Sequence, residues 1–253
     1  MKVTFLGTGT SGGVPMIGCP CQVCHSADTK DQRLRSSILI EKNGKTLVVD
    51  TGPDFRQQML RERVNQLDGV LYTHGHIDHT GGLDDIRAYN FFQKLDMPLY
   101  MDELTETIIR RQFAYVFDNV SYPGIPRVRL QRIENRPFTA EGISVVPIQV
   151  MHLNMPVVAF RIDDFTYITD ANRIAEEEKK KVLGCKVLVL NALRKEKHIS
   201  HFNLSEALEL IEELAPETAY LTHISHQMGL HEEVSKELPS NVHLAYDGLK
   251  LQL

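Results

Sequence analysis

Between Tyr72 and Gly82 the chain reads Thr73-His74-Gly75-His76-Ile77-Asp78-His79-Thr80-Gly81, so four side chains able to bind a cation fall within six residues. Histidine nitrogens and carboxylate oxygens suit Zn²⁺ or Mn²⁺. Spacing this short lets them converge from one loop onto two adjacent metals. Two such ions are an apparatus for hydrolysis: they lower the pKa of a bridging water and neutralise charge that develops on a phosphoryl group. A second donor set is Cys19-Pro20-Cys21-Gln22-Val23-Cys24, three thiols and so one ligand short of a closed tetrahedral zinc site. Spacing leaves the fourth ligand open between His25, next to Cys24, and His226 in Thr222-His223-Ile224-Ser225-His226-Gln227. Neighbours this close bridge one another poorly, so the thiols read as metal ligands rather than disulfides. Ser200-His201-Phe202-Asn203 sets a histidine just ahead of a capped helix, a source of the proton that a leaving alkoxide needs; His198 is the weaker candidate. Cys185 reads as a small apolar core residue.

These side chains need elements to carry them. Strands are expected at Lys2–Leu6, at Ser37–Ile40 and Thr46–Val49 around an Asn43-Gly44 hairpin turn, and at Gly69–Tyr72. Helical patterns cover Asp54–Val64, Leu83–Leu95 and Glu103–Phe117. Residues Asn119 to Arg136, with Pro123 and Pro126, read as a surface loop and candidate lid. Strands return at Ile143–Val150, Val157–Ile162 and Phe165–Ile168. A charged helix follows over Ile174–Leu183, its Glu and Lys run reading as a solvated face. The last third alternates strands Val187–Leu190, Ala219–Thr222 and His243–Tyr246 with helices Leu204–Leu214 and Leu230–Leu238. Asn203 and Glu206 form a capping box for the first of those helices. Asp50 reads equally as a turn residue and as a carboxylate orienting a ligand imidazole from behind. Gly7-Thr8-Gly9-Thr10-Ser11-Gly12 matches a dinucleotide fingerprint, but Gly13-Val14-Pro15 and Gly18-Cys19-Pro20 follow, where a helix cannot start. A bent loop near a site is the better reading.

The 253 residues are 42% hydrophobic and hold no apolar run near the ~20 residues of a membrane helix. A single α/β domain over 1–253 is the economical organisation. The net charge of −5 argues against bulk attraction to nucleic acid or anionic lipid. The amino terminus lacks a secretory pattern, which points to the cytoplasm.

His74 to His79 spell H-x-H-x-D-H, and the chain resembles the metallo-β-lactamase superfamily here, at Val48-Val49-Asp50-Thr51-Gly52, and at His152, Asp170 and His223. That resemblance implies an αββα four-layer sandwich. It implies one metal on His74, His76 and His152, another on Asp78, His79 and His223, and Asp170 bridging both. Together with G-T-G-T-S-G-G, C-x-C-x-x-C, S-H-x-N-L and T-H-I-S-H-Q, the chain looks like the PhnP-like phosphodiesterases of the carbon–phosphorus lyase pathway. Those enzymes open 5-phosphoribosyl 1,2-cyclic phosphate to ribose 1,5-bisphosphate, with a metal-activated water attacking. The likeness implies His201 as general acid, with Asp78 beside it in the catalytic set. It implies two divalent ions, Zn or Mn, in the active site, and one structural zinc on Cys19, Cys21, Cys24 and His226. It also implies a small anionic phosphodiester as partner, phosphonate metabolism as context, and a homodimer. Two competing readings are a transfer-RNA 3′-processing endonuclease, which should carry an RNA-gripping arm and a basic surface, and a PQQ-biosynthesis protein B-like protein. The resemblance is weak across residues 95–140, where specificity loops are expected.

Overall fold

Apolar side chains run almost without break through the central strands, the pattern of a sheet covered on both faces. In the computed structural model, which describes residues 1–118, 122 and 124–253, they build two mixed sheets. The first takes β1 (Lys2–Gly7), β2 (Ser37–Lys42), β3 (Lys45–Val49), β4 (Gly69–Leu71), β5 (Met97–Met101) and β6 (Val128–Arg132). The second takes β7 (Phe138–Ala140), β8 (Ile143–His152), β9 (Met155–Ile162), β10 (Phe165–Ile168), β11 (Arg173–Ile174), β12 (Val187–Asn191), β13 (Thr218–Thr222) and β14 (Val242–Leu244). The last strand, β15 (Lys250–Gln252), returns to the first sheet beside β1. Strand order is β15-β1-β2-β3-β4-β5-β6 in one sheet and β11-β8-β9-β10-β12-β13-β14 in the other, with β7 paired to β8.

Side-chain alternation assigns each strand two neighbours. Val3, Phe5, Ile38, Ile40, Leu47 and Val49 meet Phe160, Phe165, Tyr167 and Val189 between the sheets. The intervening Leu6, Leu39 and Val48 point outward to Phe55 and Met59 of α1 (Phe55–Glu62). After α1 come the single turn α2 (Ile77–Thr80), α3 (Arg87–Gln93), α4 (Glu103–Gln112) and α5 (Ala114–Phe117). Tyr89 of α3 and Ile109 of α4 join that outer layer. On the far side, Leu188 and Leu190 pack against Val182 of α6 (Glu176–Val182), Leu210 and Leu214 of α7 (Leu204–Leu214) and Val234 of α8 (His231–Glu237). The result is the expected αββα sandwich, with each fully buried Leu, Ile or Phe contributing roughly 1.5–3 kcal/mol.

The Asn43-Gly44 turn, the capping box on α7 and the helix-free glycine loop are as expected. Other elements differ. The pattern over Leu83–Leu95 divides into a 3₁₀ turn at Leu83–Ile86 and α3, and the one over Glu103–Phe117 breaks at Phe113. The expected loop contains β6, whose Arg129 and Arg132 sit on a sheet edge, as edge strands favour. Residues 119–121 and 123 of that loop lie outside the described residues. Strand β5 was not expected, and it contains Pro98, a residue that normally argues against a strand. The charged run of α6 is not wholly solvated. Glu178 is buried and accepts bonds from Asn135 Nδ2, the Gln149 amide and Lys181 Nζ. Among the described residues no helix is long and apolar enough to cross a membrane.

Candidate metal centre

Ligand-bearing residues occupy the carboxyl ends of strands from both sheets: Asp50 after β3, His74–His79 after β4, His152 ending β8, Asp170 after β10 and His223 after β13. Asp50, Asp170 and His223 all take left-handed backbone conformations, with φ of 64°, 53° and 55°. Non-glycine residues pay strain there, and such strain collects at functional sites.

Two groups, buried except for His76, meet at Asp170. Asp78, His79, Asp170 and His223 offer ligand atoms within 4.8 Å of one another, and so do His74, His76 and Asp170. His152 is brought to the same place but groups with Asp170 and His201 rather than with His74 and His76. Its ring lies 5.2 Å from that of His76, 6.1 Å from His74 and 4.5 Å from His201.

Hydrogen bonds behind the rings decide which nitrogens are free. A carbonyl oxygen can only accept, so His152 Nδ1–H donates to Ser200 O at 2.8 Å and Nε2 keeps its lone pair. His79 Nδ1 donates to Asp50 Oδ2 at 2.7 Å, and Thr73 donates to Asp50 through its amide and its hydroxyl, each at 2.8 Å. With its proton committed there, Thr73 Oγ1 accepts from His74 Nδ1 at 2.9 Å. The outward nitrogens then converge: His74 Nε2 and His76 Nδ1 are 3.1 Å apart, and His79 Nε2 is 3.3 Å from both Asp78 Oδ2 and Asp170 Oδ1. His79 Nε2 and His223 Nδ1 are buried without a hydrogen-bond partner, although His223 Nδ1 lies 2.9 Å from Asp170 Oδ1. Buried imidazole nitrogens and carboxylate oxygens crowded this closely fit a cation site.

Electrostatics agree with that fit. Burial holds His74 well below the ordinary histidine value. Burial also opposes charge on His79, but Asp170, Asp78 and Asp50 outweigh it and hold this imidazole well above the usual range. Burial likewise works against the Asp170 carboxylate, yet His223 and His79 keep it well below the usual carboxylate range. His201, buried and beside His223, is pushed down to about 3.

The thiols form a separate cluster: Cys19, Cys21, Cys24 and His226, not His25, have ligand atoms within 4.8 Å. His226 Nδ1 is 3.4 Å from Cys19 Sγ and 3.3 Å from Cys21 Sγ. A tetrahedron with Zn–S of about 2.3 Å and Zn–N of about 2.0 Å has an N···S edge of about 3.5 Å, so the four fit zinc. The Cys24 amide, aided by His226, draws Cys21 down to about 6, while burial lifts Cys24 to about 11. The amino-terminal loop also reaches the other centre. Thr10 N–H donates to Ile224 O, Ile224 N–H to Thr8 O, and Thr10 Oγ1 meets His223 Nε2 at 3.2 Å.

Sequence reasoning did not find Thr73, Thr10 or Gln112, which links Gly75 O to Thr80 Oγ1 across the ligand loop. Thr73 and Thr10 adjoin recognised motifs. Gln112 gave no local signal.

The model of the β-lactamase superfamily domain matches residues 45–224. A solved structure described as a new diphosphatase from the PhnP family is 38% identical, with a TM-score of 0.93, and the match covers 100% of this chain and 97% of that one. A Porphyromonas gingivalis protein named octanoyltransferase is also 38% identical over 99% of this chain, but the chain spans only about half of it, 51%. Zinc-bound PqqB from Methylobacterium extorquens shares the fold at 23% identity and a TM-score of 0.77, with both chains covered in full.

Proposed function

This chain belongs to the metallo-β-lactamase superfamily, within its PhnP family, and from that premise we propose that it is a metal-dependent phosphodiesterase of small substrates. The observation that carries the reading is the pair of donor groups meeting at Asp170, buried except for His76, with unpartnered ring nitrogens. His74 and His76 would hold one divalent ion, with His152 alongside. Asp78, His79 and His223 would hold the other, and Asp170 would serve both. When bound, two such ions, zinc or manganese, lower the pKa of water and neutralise phosphoryl charge. Asp50 fixes the His79 tautomer directly and that of His74 through Thr73. His201 is the group assigned to protonate the leaving alkoxide. Neutral in the free protein, it gains its proton beside an anionic phosphoryl group, whose charge favours the imidazolium. A small cyclic phosphate is the proposed substrate type, supported by the family likeness. Zinc on Cys19, Cys21, Cys24 and His226 would pin the amino-terminal loop.

The test is turnover of bis(p-nitrophenyl) phosphate with Mn²⁺ or Zn²⁺. Asp170→Asn should lose more than the ~100-fold typical of groups one step behind the ligands. His201→Ala should lose about 10²–10⁴-fold on a diester with an alkyl leaving group, and far less on p-nitrophenolate, which leaves without a proton. Absence of metal-dependent turnover would overturn the proposal. Cleavage of precursor transfer RNA at comparable efficiency would make the chain a nuclease instead.

A further inference from the structure

Beside His76 and His152 opens a cavity of about 560 Å³ whose apolar wall is Leu104, Ile108, Leu153, Met155, Pro156 and Ile199. Three of these are unusually exposed for their size, Ile199 at 74%, Leu153 at 46% and Leu104 at 40%. They come from three separate elements, and no Lys, Arg, Asp or Glu among the described residues lines the cavity. Scattered exposed leucines need no explanation, but a contiguous apolar wall abutting reactive groups marks a binding surface.

The wall is also built rather than incidental. Leu104 and Ile108 lie one turn apart on α4, which sits so close to the ligand loop that a Cβ on Gly75 would meet Ile108 at 2.7 Å. Leu153 holds a left-handed backbone, φ 57°, at the β8–β9 turn. Asn172 ties that turn to the loop opposite: its Oδ1 accepts from Leu153 N–H, and its Nδ2 donates to Ile199 O. The His152 bond to Ser200 O adds a second tie between the same two segments. Exposed apolar side chains on a strained, cross-braced frame are preorganised for a ligand group.

We propose that this cavity is a subsite for an uncharged, apolar ester group of the substrate, aryl or alkyl, carried on the phosphoryl group that the metal centre binds. The inference rests on the phosphodiesterase reading and narrows it. Where the neighbouring group carries its own charge, as a second phosphate or a carboxylate does, this wall offers no counter-ion and leaves that charge to be desolvated unpaired.

Phosphonates test this cleanly, because each presents a single substituent and is not hydrolysed. Calorimetric titration of the Mn²⁺-loaded protein would compare methyl-, phenyl-, hexyl- and 2-carboxyethylphosphonate. Phenyl and hexyl should each bind about tenfold or more tighter than methyl, and 2-carboxyethyl no tighter than methyl. Leu104→Ser and Ile199→Ser should each bring the phenyl-to-methyl ratio toward one. Equal affinity for methyl and phenyl, a ratio unmoved by both variants, or tightest binding of the carboxylate would overturn the subsite. Because binding is read without turnover, failure of the diesterase assay and failure of the subsite are separate outcomes.

Discussion

Asp50 has no solvent exposure and accepts three hydrogen bonds, two from Thr73 and one from His79. Burial pushes its carboxyl above the usual range, and His79 and Thr73 pull against that rise. Its left-handed backbone turns the chain out of β3, and its side chain sets the tautomers of two ligand imidazoles. Asp50→Asn keeps the shape but replaces one acceptor oxygen with a donor. We expect Mn²⁺ affinity, measured by calorimetry, to fall by about 10–100-fold. Unchanged affinity would reduce Asp50 to a turn residue. Which donor side chains gather was legible because strand ends, short spacings and donor types recur together in the chain. The tautomers were not, because they depend on Thr73 and on Ser200 O, whose partners only the folded chain selects. The share of His152 between neighbours was hidden for the same reason.

The helix α6 shows why a local charge pattern misleads. Its opposite charges at i, i+3 spacing do pair, Lys179 with Glu176 and Lys181 with Glu178. Glu178 nevertheless faces inward, where the β8 amide of Gln149 and the side chain of Asn135 need an acceptor. Burial raises its carboxyl, but Lys181, Asn135 and Gln149 outweigh that and hold it below the ordinary value of 4.5. A carboxyl so depressed stabilises the fold above its unfolded value and loses that contribution as pH falls through its folded value. Glu178→Gln should cost about 1–2 kcal/mol at neutral pH, and the difference should shrink as pH falls below the ordinary value of 4.5. Urea unfolding across that range measures it; a gap constant with pH would mean that the charge is irrelevant. The helix α7, by contrast, could be read at full length, because its cap and its apolar face agree. No such agreement marked β5, where Pro98 spoke against the strand that the parallel neighbours β4 and β6 impose.

At the scale of the whole molecule, two sheets share one core and contribute ligands from both sides of it, so the metal centre exists only when the sheets are packed. The layered class was visible from strand and helix alternation. The pairing of β15 with β1 was not, since it joins segments more than two hundred residues apart. The thiolate cluster spans a similar distance, from Cys19 to His226, and a clip across so long a loop removes much freedom from the unfolded chain. Cys21→Ser should therefore lower the melting temperature of the zinc-loaded protein and reduce its total zinc by one equivalent. Unaltered zinc content would exclude the Cys21 ligand. Only two residues separate His223 at one centre from His226 at the other, and the Thr8–Thr10 loop grips the segment between them. Were both centres loaded, their occupancies would be linked through that segment, each altering the other's affinity by the same factor. A shift of His226 has only three consecutive peptide bonds to cross before it reaches His223.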